Sequence, residues 1–167
     1  MAEYVLFTDS TTDLPVELVQ EMQVEVMPLV FTLGDKHYRN YPDNRELSPK
    51  EFYDRLRAGE VSTTSQINQA DFLDTFTPVL EQGKDILYLA FSSGLSGTFN
   101  SARLAAEELR EQFPERTIEV IDTLQASMGE GLAVYYAACL KNEGKSLREA
   151  ADWFVANRQS ICAWFTV

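Results

Sequence analysis

Short apolar runs that alternate with amphipathic stretches constrain this chain more than any other feature. Residues 4–8, 85–91 and 117–121 are each rich in aliphatic, aromatic and β-branched side chains. Each is followed by a turn bearing hydroxyls or aspartate, and then by a segment whose apolar positions keep helical spacing. The run at 85–91 is nearly continuous in apolar residues, as a strand covered on both faces requires. A chain that alternates in this way needs right-handed crossovers. It is therefore expected to be α/β, with a mainly parallel, doubly wound sheet carrying helices on both faces.

Local signals place the helices. Leu14-Pro15 opens the first, since proline suits a first turn. Ser48-Pro49-Lys50-Glu51 has the form of a capping box and starts a helix to about residue 58. Asn68 caps the next, whose Phe72, Leu73, Phe76, Val79 and Leu80 face a sheet and which Gly83 ends. A helix follows residues 92–98, another runs from beyond Asp122-Thr123 to about residue 142, and a second capping box at Ser146 and Glu149 starts one that reaches about residue 159. Residues 25–33 read as one extended segment, and Gly34-Asp35-Lys36 as a turn that folds residues 37–39 back as a hairpin. Residues 161–167 read as an apolar strand with nothing to cover it. That suggests a missing C-terminal partner domain, and an apolar end able to self-associate.

With 167 residues the chain suits one core. Its net charge of −12 opposes binding to nucleic acid or anionic lipid surfaces. The start lacks a signal-peptide pattern and no stretch approaches a membrane span, which favours a cytoplasmic protein without stable membrane insertion. Cys139 and Cys162 are expected as buried thiols, with no zinc spacing and no metal site.

Three hydroxyl- and aspartate-bearing loops fall at one edge of the expected sheet, where ligands of such sheets bind. They are residues 9–13 with Asp9 and Ser10, residues 92–98, and Asp122-Thr123. In Ser92-Ser93-Gly94-Leu95-Ser96-Gly97-Thr98 the backbone N–H groups and the following helix's dipole favour an anion. The loop has no lysine and the wrong glycine spacing for a nucleotide P-loop. Neutral donors without a cation suit a single carboxylate. The cluster Ser62-Thr63-Thr64-Ser65-Gln66 could supply donors from a second direction, although helix capping alone would explain any one of these hydroxyls. An enzyme is the alternative. Asp9 stands where a phosphatase of the haloacid-dehalogenase kind has its nucleophile, but Thr11 replaces the second aspartate. Ser96 could serve a hydrolase, but the only histidine is His37 and the loop misses G-x-S-x-G by one position.

Thr8-Asp9-Ser10-Thr11-Thr12-Asp13-Leu14-Pro15, Thr64-Ser65-Gln66 and Phe91-Ser92-Ser93-Gly94-Leu95-Ser96-Gly97-Thr98-Phe99-Asn100-Ser101-Ala102, with Asp122-Thr123, Ser127 and Gly129 beyond, resemble the DegV family. The resemblance implies that residues 1–160 are the N-terminal α/β domain of a protein that binds one long-chain fatty acid. Residues 161–167 would then start a C-terminal lipid-binding domain that supplies a histidine and an arginine near the headgroup. It further implies that, as in FakB-like members, the acid is presented to a separate fatty acid kinase, so that the protein is a carrier with no catalytic residues and no cofactor. Carried onto this sequence, the carboxylate lies near Thr64 and the Ser92-Ser93 pair, with Ser93 foremost. Ser65, Ser96, Gly97 and Thr98 stand around it, and Asp9, Ser10, Asp122 and Thr123 at the pocket edge.

Overall fold

The computed structural model describes residues 3–164. From the N-terminus, β1 (Tyr4–Asp9) leads through a 3₁₀ turn (Ser10–Thr12) to α1 (Val16–Met22) and β2 (Val24–Met27). Then come β3 (Val30–Leu33), β4 (Lys36–Arg39), α2 (Pro49–Arg57), β5 (Ser62–Ser65) and α3 (Gln69–Glu81). β6 (Asp85–Ala90), α4 (Thr98–Gln112), β7 (Ile118–Asp122), α5 (Met128–Asn142), α6 (Leu147–Asn157) and a second 3₁₀ turn (Arg158–Ser160) complete it.

The central sheet is parallel throughout, in the order β2-β1-β6-β7. The chain steps from β1 outward to β2 and later returns to the other side of β1 as β6. This reversal opens a crevice at the carboxyl ends of β1 and β6, the place where such sheets bind ligands. Side chains alternate across β6, so Leu87 and Leu89 enter the core under α1, α5 and α6, while Ile86, Tyr88 and Ala90 enter the core under α3 and α4. All of β6 is buried, which explains its continuous apolar run. The expected doubly wound arrangement is present.

Capping follows the sequence closely. Asn68 with Asp71 and Ser146 with Glu149 form reciprocal boxes. At Ser48 only the forward bond forms, from the Glu51 N–H to the Ser48 hydroxyl at 3.2 Å, so the box expected there is half made.

Four expectations need correction. Residues 25–33 are not one segment. Residues 24–27 stay in the parallel sheet, Pro28 brings no N–H to continue the ladder, and residues 30–33 begin a second sheet. That sheet is antiparallel, in the order β4-β3-β5. The hairpin of β3 and β4 turns at Gly34, whose φ of +59° suits glycine. Residues 62–65, expected as a hydroxyl loop, are its third strand; their threonines are β-branched and favour extended backbone, which their polarity obscured. Finally, residues 161–164 form no strand, and residues 165–167 lie outside the described residues. Cys139 is half-buried and Cys162 exposed, both as free thiols, where burial was expected. Among the described residues no helix is long and apolar enough to cross a membrane.

Candidate ligand-binding site

The turn after β1 is built around Asp9, which has no exposed surface. One carboxylate oxygen accepts from the Tyr88 hydroxyl at 2.8 Å and the Phe91 N–H at 3.1 Å. The other accepts from the Thr11 N–H at 3.1 Å and the Thr11 hydroxyl at 2.6 Å. Four donors saturate a carboxylate. Asp9 is therefore a structural knot joining β1, β6 and the turn. It is neither at a pocket edge nor free to act as a nucleophile. Ser10 does line a cavity wall, and its hydroxyl accepts from the Leu29 N–H at 3.0 Å, tying the turn to the entry of the second sheet.

Thr11 also lies 2.6 Å from a carboxyl oxygen of Glu130, in the first turn of α5. Glu130 is completely buried. Burial first, and the charge of Asp9 second, push its pKa up from the usual carboxylate value to about 10, against the opposing effect of the nearby Thr11 and Thr8 hydroxyls. Tyr88 is likewise held well above its ordinary value, by burial and then by Asp9.

The loop after β6 is held mainly by its own hydroxyls. Ser92 accepts from the Gly94 N–H at 3.3 Å. Ser96 sits 2.9 Å from the Thr98 hydroxyl and accepts the Thr98 N–H at 3.2 Å. Thr98 is buried, and its hydroxyl accepts from the Ile67 N–H at 3.3 Å, locking the entry of α3 to the start of α4. A Cβ at Gly97 would stand 2.0 Å from the Gln66 side-chain oxygen, so the absent side chain lets Gln66 lie across the loop and donate to Ser101 at 3.3 Å. The motifs at residues 64–66 and 91–102 are thus one packed unit. Ser93 is exposed and anchored by its N–H to Asp122 at 3.1 Å. Asp122 also accepts the Leu124 N–H at 3.0 Å. Thr123 is fully buried and donates to the Ala90 carbonyl at 2.7 Å, so its expected place at a pocket edge is corrected. The hydrolase alternative fails on geometry: the Ser96 hydroxyl pairs with Thr98, while His37 is exposed on β4, across the ladder from Thr32.

A groove of about 540 Å³ runs from the β1 turn across the second sheet to α2. Its apolar wall includes Leu29, Phe31, Phe52 and Phe91; Ser10, Ser62 and Thr64 supply hydroxyls. Phe31 stacks on Tyr38 at 5.4 Å between ring centroids and meets the edge of Phe52 at 5.5 Å. Thr64 stands opposite Phe31 in the β3–β5 ladder, so the two share a face. Arg55 fastens α2 to this sheet, donating to Glu60 at 2.6 and 2.8 Å, to the Tyr38 hydroxyl at 2.9 Å and to the Leu33 carbonyl at 3.2 Å. Ser92 faces a separate hollow of about 310 Å³ together with Leu95 and Trp164.

The structure thus brings Thr64 and Ser10 to one groove and leaves Ser93 on the neighbouring loop. Sequence reading missed the aromatic wall and Glu130. Phe31 lay inside a run read as plain strand, and a glutamate in a helix's first turn reads as an ordinary partner of the helix dipole.

The sequence matches the model described as "Uncharacterised protein, DegV family" over residues 4–167. A DegV domain-containing protein of Clostridium perfringens is 44% identical over 167 residues, covering 100% of this chain and 57% of that protein. Another, from Lactococcus lactis, is 36% identical and covers 89% of this chain and 51% of its own length. A solved DegV family protein from Thermus thermophilus, described for its fatty acid binding, superposes with a TM-score of 0.81 at 38% identity, over 95% of this chain and 54% of that one. A stearic acid-binding protein from Eubacterium ventriosum superposes with a TM-score of 0.81 at 26% identity, over 92% of this chain and 52% of that one. The chain spans about half the length of the relatives it matches.

Proposed function

The chain belongs to the DegV family, and on that footing we propose that it is the α/β part of a fatty-acid carrier. The observation that carries this reading is the groove of about 540 Å³ beside the carboxyl edge of the parallel sheet, mainly apolar, with hydroxyls at its walls and Arg39 and Asp13 in its lining. An acyl chain lies against Phe31, Phe52 and Leu29. The carboxylate sits at the Thr64 and Phe91 end of the groove, and Ser93, with Ser92 at the rim of the neighbouring hollow, reaches it from the loop that leads into the 15-residue α4. Ser65 and Ser10 flank this position, and Ser96, Gly97 and Thr98 support it by shaping the loop. The fatty-acid-binding relatives from Thermus thermophilus and Eubacterium ventriosum support the choice of ligand class. A carrier of this kind hands its acid to a fatty acid kinase, whose need for ATP places the encounter in the cytoplasm.

Titration calorimetry with oleic acid and with oleyl alcohol tests the reading. The 167-residue chain should take up the acid saturably and the alcohol far more weakly, because only the acid offers a carboxylate to the hydroxyls. Equal binding of both would overturn the headgroup assignment, and binding of neither, by this chain and by a protein that also spans the remaining half of its relatives' length, would overturn the carrier reading. Adding the kinase and ATP to the acid-loaded protein should yield acyl phosphate.

A further inference from the structure

The Thr11 hydroxyl lies 2.6 Å from Asp9 and 2.6 Å from Glu130. A hydroxyl carries one proton and can donate it to only one of two carboxyl groups. If both acids were ionised, the second short contact would set lone pairs against lone pairs. One acid must therefore donate to Thr11. Asp9 already accepts from the Tyr88 hydroxyl, the Phe91 N–H and the Thr11 N–H, all groups that stabilise its charged form. Glu130 has no such set of donors. Its other oxygen is 3.4 Å from the Thr8 hydroxyl, which sits nearer, at 3.0 Å, to the Leu89 carbonyl.

The surroundings agree. α5 packs against β1, β6, α1, α6 and the 3₁₀ turn. The charges that act on Glu130 come from Asp9 at the end of β1 and Asp13 just after the turn, and both are acidic. On β6, the Tyr88 hydroxyl is taken by Asp9, and Asp85 lies 3.9 Å from Arg116. α1 carries Glu17 and Glu21; α6 carries Arg148, paired with Glu119, Glu149, paired with Lys145, and Asp152. None of these bonds Glu130. Burial and the two acids push Glu130 toward its neutral form.

The same helical turn is shaped to receive the 3₁₀ turn. A Cβ at Gly131 would come within 3.0 Å of the Thr12 carbonyl and of Leu14, so glycine lets the backbone of residues 12–14 press against α5. Just before the helix, the Ser127 hydroxyl donates to Asp13 at 2.6 Å. Thr11, Ser10 and Asp13 line the groove.

We propose that Glu130 is a positioning residue which stays protonated in the folded protein. It donates to Thr11, Thr11 donates to Asp9, and this relay sets the groove wall formed by residues 10–13. The proposal rests on the carrier reading only in taking that wall as part of a binding site. The relay itself is tested without ligand.

Infrared spectroscopy of the 167-residue chain near neutral pH should show the carbonyl stretch of an un-ionised carboxylic acid, which disappears in Glu130→Gln and on alkaline titration of the wild type. Amide exchange at residues 11–13 supplies the second readout. Thr11→Val cuts the relay and should speed exchange at least about tenfold, the equivalent of one charge-assisted hydrogen bond. Glu130→Gln keeps a donor facing Thr11 and should leave exchange within about threefold of wild type. A missing acid band, a band unchanged by Glu130→Gln, or exchange accelerated as much by the glutamine as by Thr11→Val would overturn the assignment. None of these outcomes depends on whether a fatty acid binds.

Discussion

A protonated, buried Glu130 makes the stability of the protein depend on pH in a direction opposite to that of most carboxylates. In the unfolded chain the side chain releases its proton near its ordinary value of 4.5; in the folded protein it holds the proton to about 10. Between those values the folded state binds one more proton than the unfolded state, so stability falls as pH rises. The contribution is fully present below the unfolded value and is lost by the time pH passes the folded value. Each pH unit within the window removes about 1.4 kcal/mol, so raising the pH from about 6 to about 9 removes about 4 kcal/mol. Glu130→Gln cannot titrate and lacks this slope. Denaturant unfolding of both proteins across that range cancels every other titrating group. The difference between them should move by about 4 kcal/mol, or about 8–16 °C in relative Tm for a chain of this size, with the variant gaining on the wild type at alkaline pH. Parallel curves would mean that Glu130 is ionised in the folded state, and the proton-counting argument would fail.

Other substitutions probe the remaining parts. Ser93→Ala or Thr64→Val should weaken oleic acid binding about 10- to 100-fold by calorimetry while leaving Tm nearly unchanged, since a hydrogen bond to a charged group contributes about 1.5–3 kcal/mol. Tyr88→Phe removes a 2.8 Å donor from buried Asp9 and should cost about 1.5–3 kcal/mol in urea unfolding. Phe76→Ala, at a side chain without exposed surface between Phe7, Phe72 and Tyr88, should cost about 3–5 kcal/mol. Gly97→Ala should displace Gln66, visible as a shift of its side-chain amide resonance in NMR, because the new methyl would occupy the place of its oxygen.

The parallel sheet was legible because its signals are local. β6 is apolar at every position that two covered faces require, and the Asn68 cap and the Ser146 box mark helix starts within four residues of sequence. The second sheet was hidden because its strands are short and partly polar, and because β5 pairs with β3 across about thirty residues, a separation that no local pattern reports. The hydroxyl loops were found, yet their roles divided on tertiary grounds. Thr64 and Ser10 reach the groove, whereas Thr98 and Thr123 turn inward to satisfy backbone groups. Asp9 looked like a reactive aspartate because its four donors come from Thr11, Tyr88 and Phe91, two of them about eighty residues away. Glu130 gave no sign at all, since burial of one glutamate is a property of the packed helix and not of its neighbours in sequence.

The two sides of the groove differ in mechanical character. On one side stand the β1 turn and Phe91, pinned through Asp9 to a strand buried at every residue. On the other stands α2, which buries no residue completely and is fastened chiefly by Arg55. Elements with little buried surface open most readily. The β1 side of the groove therefore behaves as a fixed anvil and the α2 side as a compliant jaw. Ligands of different girth should be accommodated by displacement of α2, with the register at the sheet edge unchanged.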